Sequence, residues 1–95
     1  MVVGVMQLEI LLHAPLSLKE KRGMVKKILG RCRARFPVSC AETGNQELWQ
    51  RSHLGFTMVH HDEGAVHTIF DKIVDEIERT GFAEIIDRFI EFNHY

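Results

Sequence analysis

The sequence predicts an α+β sandwich with the element order β-α-β-β-α-β, because strand-like alternation and helix-like spacing of apolar residues take turns along the chain. Four short segments have the apolar patterns of strands, and two longer segments repeat apolar residues every three or four positions. The 95 residues, of which 45% are hydrophobic, are enough for one core and too few for two. We therefore predict one domain over residues 1–95.

The N-terminal third of the chain predicts the first strand and the first helix. Val2–Leu12 is rich in Val, Ile and Leu, and one face of this strand carries Met6, Leu8, Ile10 and Leu12. Ser17 and Glu20 form a capping box that begins a helix, and Pro37 ends the helix near Phe36. One arc of about 100° on this helix holds the residues expected to face the core: Leu18, Val25, Ile28, Leu29, Cys32 and Phe36.

The middle of the chain predicts two further strands. Val38–Glu42 is a short strand, and a turn then leads into the polar stretch Gln46–Arg51, which holds the only tryptophan, Trp49. His53–His61 alternates, with the following residues on one face: Leu54, Phe56, Met58 and His60.

The last third predicts a second helix and a fourth strand. Asp62 can cap the helix, and Gly81 stands where a left-handed C-terminal residue is expected. The apolar residues of this second helix follow helical spacing more regularly than any others in the chain: Val66, Ile69, Phe70, Ile73, Val74 and Ile77. Phe82–Phe92 is a strand of open phase, because two sets of residues compete for the core side unless a bulge intervenes: Ile85 and Phe89 against Ile86, Ile90 and Phe92.

This order of elements predicts a ferredoxin-like sandwich. Right-handed crossovers are expected to place both helices on one face of a four-stranded antiparallel or mixed sheet. Within that sheet we expect the first and third strands to be parallel neighbours.

Two motifs resemble those of the YlxP-like family of small bacterial proteins. They are Ser17-Leu18-Lys19-Glu20-Lys21-Arg22 and Glu47-Leu48-Trp49-Gln50-Arg51, the second followed by Leu54-Gly55. The resemblance runs from the first strand to the fourth and implies a ferredoxin-like domain of unknown function. It also implies a bacterial, cytoplasmic protein with a link to RNA or the ribosome, since genes of this family often lie beside those for translation initiation and ribosome maturation. It assigns no catalytic or binding residue.

The first helix carries the strongest charge signal. Although the whole chain has a net charge of −1, Ser17–Arg35 holds eight basic residues and one acidic residue, a net +7. Seven of the basic residues form two ridges: Lys19, Arg22, Lys26 and Arg33 in the first, and Lys27, Arg31 and Arg35 in the second. Between the ridges lies a groove of small residues: Gly23, Gly30 and Ala34. A phosphate backbone or another helix could approach this groove closely, and a solvated, solubilising face is the plainer alternative.

Other candidate groups are weaker. Trp49 and Arg51 could stack on a base and contact a phosphate, although a lone tryptophan in a connection more often packs as a lid on the core. We expect one sheet end to bring together a cluster that could hold a metal or an anion, or else only exposed histidines: His13, His60, His61 and Asp62. Cys32 and Cys40 are expected to be buried thiols.

The second helix has the opposite charge pattern to the first. Asp71, Asp75 and Glu78 form an acidic ridge, and the acidic residues of this helix are expected to point away from its apolar stripe. No nucleophile stands beside a base and no glycine-rich phosphate loop is present, so enzymatic activity is not expected.

The sheet face away from the helices is predicted to be apolar, through Val3, Val5, Leu11 and Val59. Apolar patches of this kind usually meet a partner, and a symmetric copy is the commonest one. The sequence thus predicts a non-catalytic cytoplasmic module that binds structured RNA or a ribosomal particle through its first helix. The alternative is a homodimeric protein-interaction module. No cofactor, metal, membrane or small-molecule substrate is predicted.

Overall fold

The structure, a computed structural model, describes residues 1–95 and confirms the predicted order of elements. The elements are β1 (Val2–Leu12), α1 (Leu18–Arg35), β2 (Ser39–Gly44), β3 (Arg51–His60), α2 (Glu63–Arg79) and β4 (Ala83–His94). Ser17 Oγ accepts from the backbone N–H of Glu20 at the start of α1, and Asp62 caps α2 by accepting from Gly64. Gly81 follows α2 with φ +79°, the left-handed conformation predicted for it. Neither helix is long and apolar enough to cross a membrane.

The four strands form one sheet in the order β2-β3-β1-β4, and every neighbouring pair is antiparallel. The prediction that β1 and β3 are parallel is wrong, since Val2 lies opposite His60 and Leu11 opposite Arg51. Each helix joins two parallel strands that are not neighbours. The strand that fills the gap between them therefore runs the other way.

The core lies between the sheet and the two helices. The predicted inner residues of β1 are all buried, and they pack with the apolar stripes of both helices. Leu18, expected in the stripe of α1, is only half-buried, and the aliphatic stem of Lys21 is buried in the first turns instead. Gly4 of β1 lies under Val66 and Phe70, which lets α2 approach the sheet closely.

A β-bulge settles the phase of β4. Ile10 pairs with Ile85 while Glu9 pairs with Asp87, so Ile86 is the extra residue. Before the bulge Ile85 packs against the core, and beyond it two apolar residues do so: Ile90 and Phe92. The bulge turns Ile86 and Phe89 to the open face of the sheet, where both are exposed.

Candidate functional site

Five of the seven cations predicted on the ridges of α1 are exposed and have no acidic partner within 4.0 Å. These five, called the α1 cations below, are Lys19, Arg22, Lys26, Lys27 and Arg31. An exposed lysine or arginine that forms no ion pair within its own chain keeps its full charge available to an external anion. The central part of the predicted basic surface is therefore present.

The groove between the two ridges is open. A Cβ atom added at Gly23 or at Gly30 would meet no heavy atom within 4 Å, and Ala34 is exposed. The backbone of α1 can therefore be approached at these positions without side-chain movement.

The C-terminal ends of both ridges serve the protein's own structure. Arg33 Nη2 donates to the backbone oxygen of Cys40 at 2.7 Å, so this guanidinium holds α1 to β2. Arg35 Nη1 donates to Glu76 Oε2 at 3.1 Å. Glu76 is buried, which contradicts the expectation that the acidic residues of α2 all point away from its stripe. The Glu76 side chain is instead covered by the contact between α2 and the end of α1.

Lys21 forms a buried polar network that the sequence did not indicate. Its side chain is 0% exposed, and its Nζ donates to Glu42 Oε2 at 2.8 Å. The same ammonium donates to the backbone oxygens of Asn45 and Gln46, at 2.8 and 3.3 Å. Ser52 Oγ donates to Glu42 Oε2 as well. Lys21 thus joins the start of α1 to β2 and to the segment 45–50 that carries Trp49.

Trp49 and Arg51 lie apart from the α1 cations. Trp49 is 50% exposed, so the interpretation of this side chain as a lid on the core is wrong. Arg51 begins β3 opposite Leu11 and points to the face that the helices do not cover. Of the predicted RNA-binding residues, Arg51 is therefore on the far side of the sheet from α1.

The predicted histidine cluster does not form. His13 follows β1 and lies 3.7 Å from Glu84, whereas His60 lies opposite Val2 at the other end of the sheet. His60 and His61 stack on each other with ring centroids 4.5 Å apart. No group of three His, Cys, Asp or Glu residues could hold a metal ion. The antiparallel β1–β3 pair is the cause, because it places the end of β1 beside the start of β3.

Both cysteines are buried and unpaired, as predicted. Burial, with a smaller contribution from the nearby Cys40, raises the pKa of Cys32 to about 12. Burial also raises the pKa of Cys40, against the lowering effect of Arg33. Both thiols are therefore protonated and poorly nucleophilic at neutral pH.

The open face of the sheet carries the four apolar residues predicted for it, with Val59 58% exposed and the other three half-buried. Phe89 joins them from β4 and is 55% exposed. Beside Phe89 lies a depression of about 710 Å³, lined by Gln7, Glu9, Arg51, His53, Ile86, Asp87 and Phe89. The face is thus mixed in character, with apolar residues next to charged ones.

Comparison with known proteins finds relatives of this chain but no described activity among them. Residues 3–89 match the sequence profile of a family described as a protein of unknown function, DUF503. The uncharacterized protein YlxP of Bacillus subtilis (strain 168) is 33% identical over 84 residues, covering 82% of this chain and 91% of that protein. The motif-based resemblance to the YlxP-like family is therefore confirmed.

Three solved structures share the ferredoxin-like fold at low sequence identity. Protein YJCS has a TM-score of 0.58 at 13% identity, over 98% of this chain and 99% of that chain. The designed protein Foldit4 has a TM-score of 0.54 at 14% identity, over 100% of this chain and 99% of that chain. SnoaB, a cofactor-independent oxygenase from Streptomyces nogalater, has a TM-score of 0.53 at 5% identity, over 99% of this chain and 92% of that chain. These likenesses describe the fold alone.

Proposed function

This chain belongs to the DUF503 family of proteins of unknown function, and we propose that it is a non-catalytic module that binds structured RNA, free or within a ribosomal particle, through α1. The observation that carries the proposal is the set of five unpaired α1 cations around an open, glycine-lined groove. The free thiols suit a reducing compartment, so we place this role in the cytoplasm.

The charge on α1 is not neutralised from within the protein. The chain has 13 acidic residues, yet none lies within 4.0 Å of an α1 cation. Two cationic ridges separated by a bare backbone can contact phosphates on both sides of the helix. Double-stranded RNA is recognised mostly through such phosphate and shape contacts, because its major groove is too deep and narrow for side chains to read.

Gly23 and Gly30 support a ligand that comes close to the backbone. Each glycine in an exposed helix interior costs about 1 kcal/mol relative to alanine. Neither is required by packing, since an added Cβ would meet nothing at either position. Close approach of a phosphate backbone to α1 would require small residues at these two positions and so accounts for both glycines.

Binding rather than catalysis is the role that the rest of the surface supports. The depression on the open face has no serine, threonine, cysteine or lysine among its lining residues. The two thiols are buried and protonated at neutral pH. The Thr43 hydroxyl lies 2.7 Å from His53 Nδ1, but it donates to the backbone oxygen of His53, so its proton is not directed at the imidazole as covalent catalysis would require.

The test is a filter-binding titration of the chain with purified bacterial ribosomal RNA over a series of salt concentrations. If all five α1 cations contact phosphates, the log–log slope of affinity against salt is about −4.5, a loss of about 500-fold between 50 and 200 mM salt. Replacing one cation on each ridge, Arg22→Gln with Arg31→Gln, should reduce that slope to about −2.7.

The matched control removes the same charge from α2, through Lys72→Gln with Arg79→Gln. Both residues are exposed, and Arg79 lies 3.9 Å from Glu76, which keeps Arg35 as its closer partner, so this variant should keep the wild-type slope. A wild-type slope in the α1 variant, equal weakening by the two variants, or no RNA binding by the wild-type chain would each refute the proposal. The α1 variant should unfold at the wild-type temperature, because Arg22 and Arg31 are exposed and form no ion pair.

A further inference from the structure

We propose that the open face of the sheet binds a second copy of this chain, with a two-fold axis that lies between the two sheets and runs roughly along β1. The proposal is independent of RNA binding, since α1 and α2 cover the other face of the sheet. Three features carry it: the exposed apolar residues of the face, the segregation of its charges, and the fit of one protruding side chain to a bare patch.

The apolar residues of this face form a patch that water would otherwise cover. Val59, Ile86 and Phe89 are among the few large apolar side chains exposed on the whole chain. With the half-buried Val3, Val5 and Leu11 they extend over three neighbouring strands. Gln7 and Glu9 interrupt this surface on β1, between Val5 and Leu11. Exposed apolar surface of this extent on a small protein usually marks an interface.

The charges on the face are divided between its two sides. On β3 the ionisable side chains are Arg51 and His53, and on β4 they are Glu84, Asp87 and Glu91. Glu9 of the central strand β1 lies near the axis between His53 and Asp87, and its carboxylate accepts a hydrogen bond from Asn45 Nδ2. A two-fold rotation about an axis along β1 places β3 of one copy over β4 of the other. The Arg51 side of each copy then faces the acidic side of its partner, which is the self-complementarity that a two-fold interface requires.

The pairing registers show which residues would meet. Leu11 lies between Arg51 and Glu84, and Gln7 lies between Gly55 and Phe89. Residues that lie opposite one another across β3, β1 and β4 form a row. The same rotation leaves the position of each row along β1 unchanged, so Arg51 approaches the second copy's Glu84, and Gly55 approaches its Phe89. Packed sheets cross at roughly 30°, so the central Gln7 row is matched most closely and the outer rows more loosely.

The surface around Gly55 can accept an aromatic ring. It is a shallow depression of about 240 Å³, and its lining includes Val5, Ala41, Thr43, Gly55 and Thr57. The Thr43 methyl group stands over Gly55, so an incoming ring would rest on Ala41 and against Thr43. Phe89 is the most exposed aromatic side chain on the open face. In the dimer each Phe89 would fill the depression of the other copy, and both rings would leave water together.

The area suits a weak dimer. Because the axis runs along β1, only β3, β1 and β4 of each copy overlap, and three strands spaced about 4.8 Å apart and about ten residues long, at about 3.3 Å per residue, give a footprint of about 480 Å² per copy. Two copies then bury about 950 Å², the size of weak, transient complexes. We therefore expect an equilibrium between monomer and dimer at high micromolar concentration.

The test is the molar mass by sedimentation equilibrium over a series of protein concentrations. The wild-type chain should approach twice its 11.0 kDa as concentration rises. Phe89→Glu, an exposed position that the core does not use, should stay at the mass of one chain. Leu16→Glu is the matched control, because Leu16 is 77% exposed and lies outside the open face, and it should dimerise like the wild type.

A charge exchange tests the register separately. Arg51→Glu should weaken the dimer, and adding Glu84→Arg to it should restore dimerisation, since the reversed pair again meets with opposite signs. The proposal is overturned if the wild-type chain remains a monomer at every concentration. It is also overturned if Phe89→Glu dimerises as well as the Leu16→Glu control, because the interface then lies elsewhere.

Discussion

Replacing Lys21 by methionine should destabilise the protein far more than any other single change to the basic segment. Methionine keeps the length of the buried stem, so little cavity is created and the main loss is the ammonium. That loss leaves Glu42 with only the Ser52 hydroxyl as a side-chain donor, and its side chain is only 16% exposed. It also removes the donor that serves the backbone oxygens of Asn45 and Gln46.

The expected loss is about 3–5 kcal/mol, the usual cost of leaving one member of a buried ion pair without its partner. A domain of this size has a free energy of unfolding of about 5–14 kcal/mol, so at least about a fifth of it would disappear. Urea unfolding followed by circular dichroism measures the difference. Lys19→Met is the matched control, since Lys19 is exposed and unpaired, and it should change stability by less than about 0.5 kcal/mol.

A double variant separates the ion pair from other effects. Lys21→Met combined with Glu42→Met removes both charges, and replacing a buried pair by apolar side chains is often close to neutral. The double variant should therefore recover at least half of the stability that Lys21→Met loses. The reasoning is refuted if Lys21→Met is as stable as Lys19→Met, or if the two substitutions simply add.

Two further predictions concern the contacts of α2. Gly4→Ala should destabilise the chain by about 1–3 kcal/mol in urea unfolding, because the new Cβ would collide with Val66 and push α2 off the sheet; a stabilised variant would contradict this. The hydrogen bond from Arg88, and its charge, lower the pKa of Asp71 below the ordinary 3.8, so Arg88→Ala should raise that pKa in an NMR titration. The stability from this pair is present above about pH 3.8 and fades as the pH falls through the lowered value, and an unchanged Asp71 pKa would refute the assignment.

The elements of the fold could be predicted because each has a local cause. The alternation in β1, the Ser17 cap and the left-handed Gly81 are all decided by a few neighbouring residues, and the structure has them where the sequence placed them. The direction of β3 relative to β1 is not local, since it depends on how two crossovers interleave. The predicted histidine cluster depended on β1 and β3 being parallel, so it was wrong for the same reason.

The candidate site was predictable in its charges and not in its internal contacts. Helical spacing alone placed the cations on the exposed side of α1, where five of the seven remain free. Nothing in the spacing distinguishes Arg35 from its neighbours, because its partner Glu76 is 41 residues away in the sequence. The buried contacts of Lys21 could not be predicted for the same reason, since its acceptors all come from the segment 42–46.

The arrangement of layers keeps the two proposed surfaces apart. Helices pack on one face of the sheet, so α1 presents its cations on the side opposite to Phe89 and Arg51. In a face-to-face dimer the two sheets lie about 10 Å apart and each helix layer lies about 10 Å further out. The two α1 helices then lie about 30 Å from each other and face in opposite directions. One copy of the chain therefore cannot shield the α1 cations of the other, and a dimer would offer two RNA segments one basic helix each.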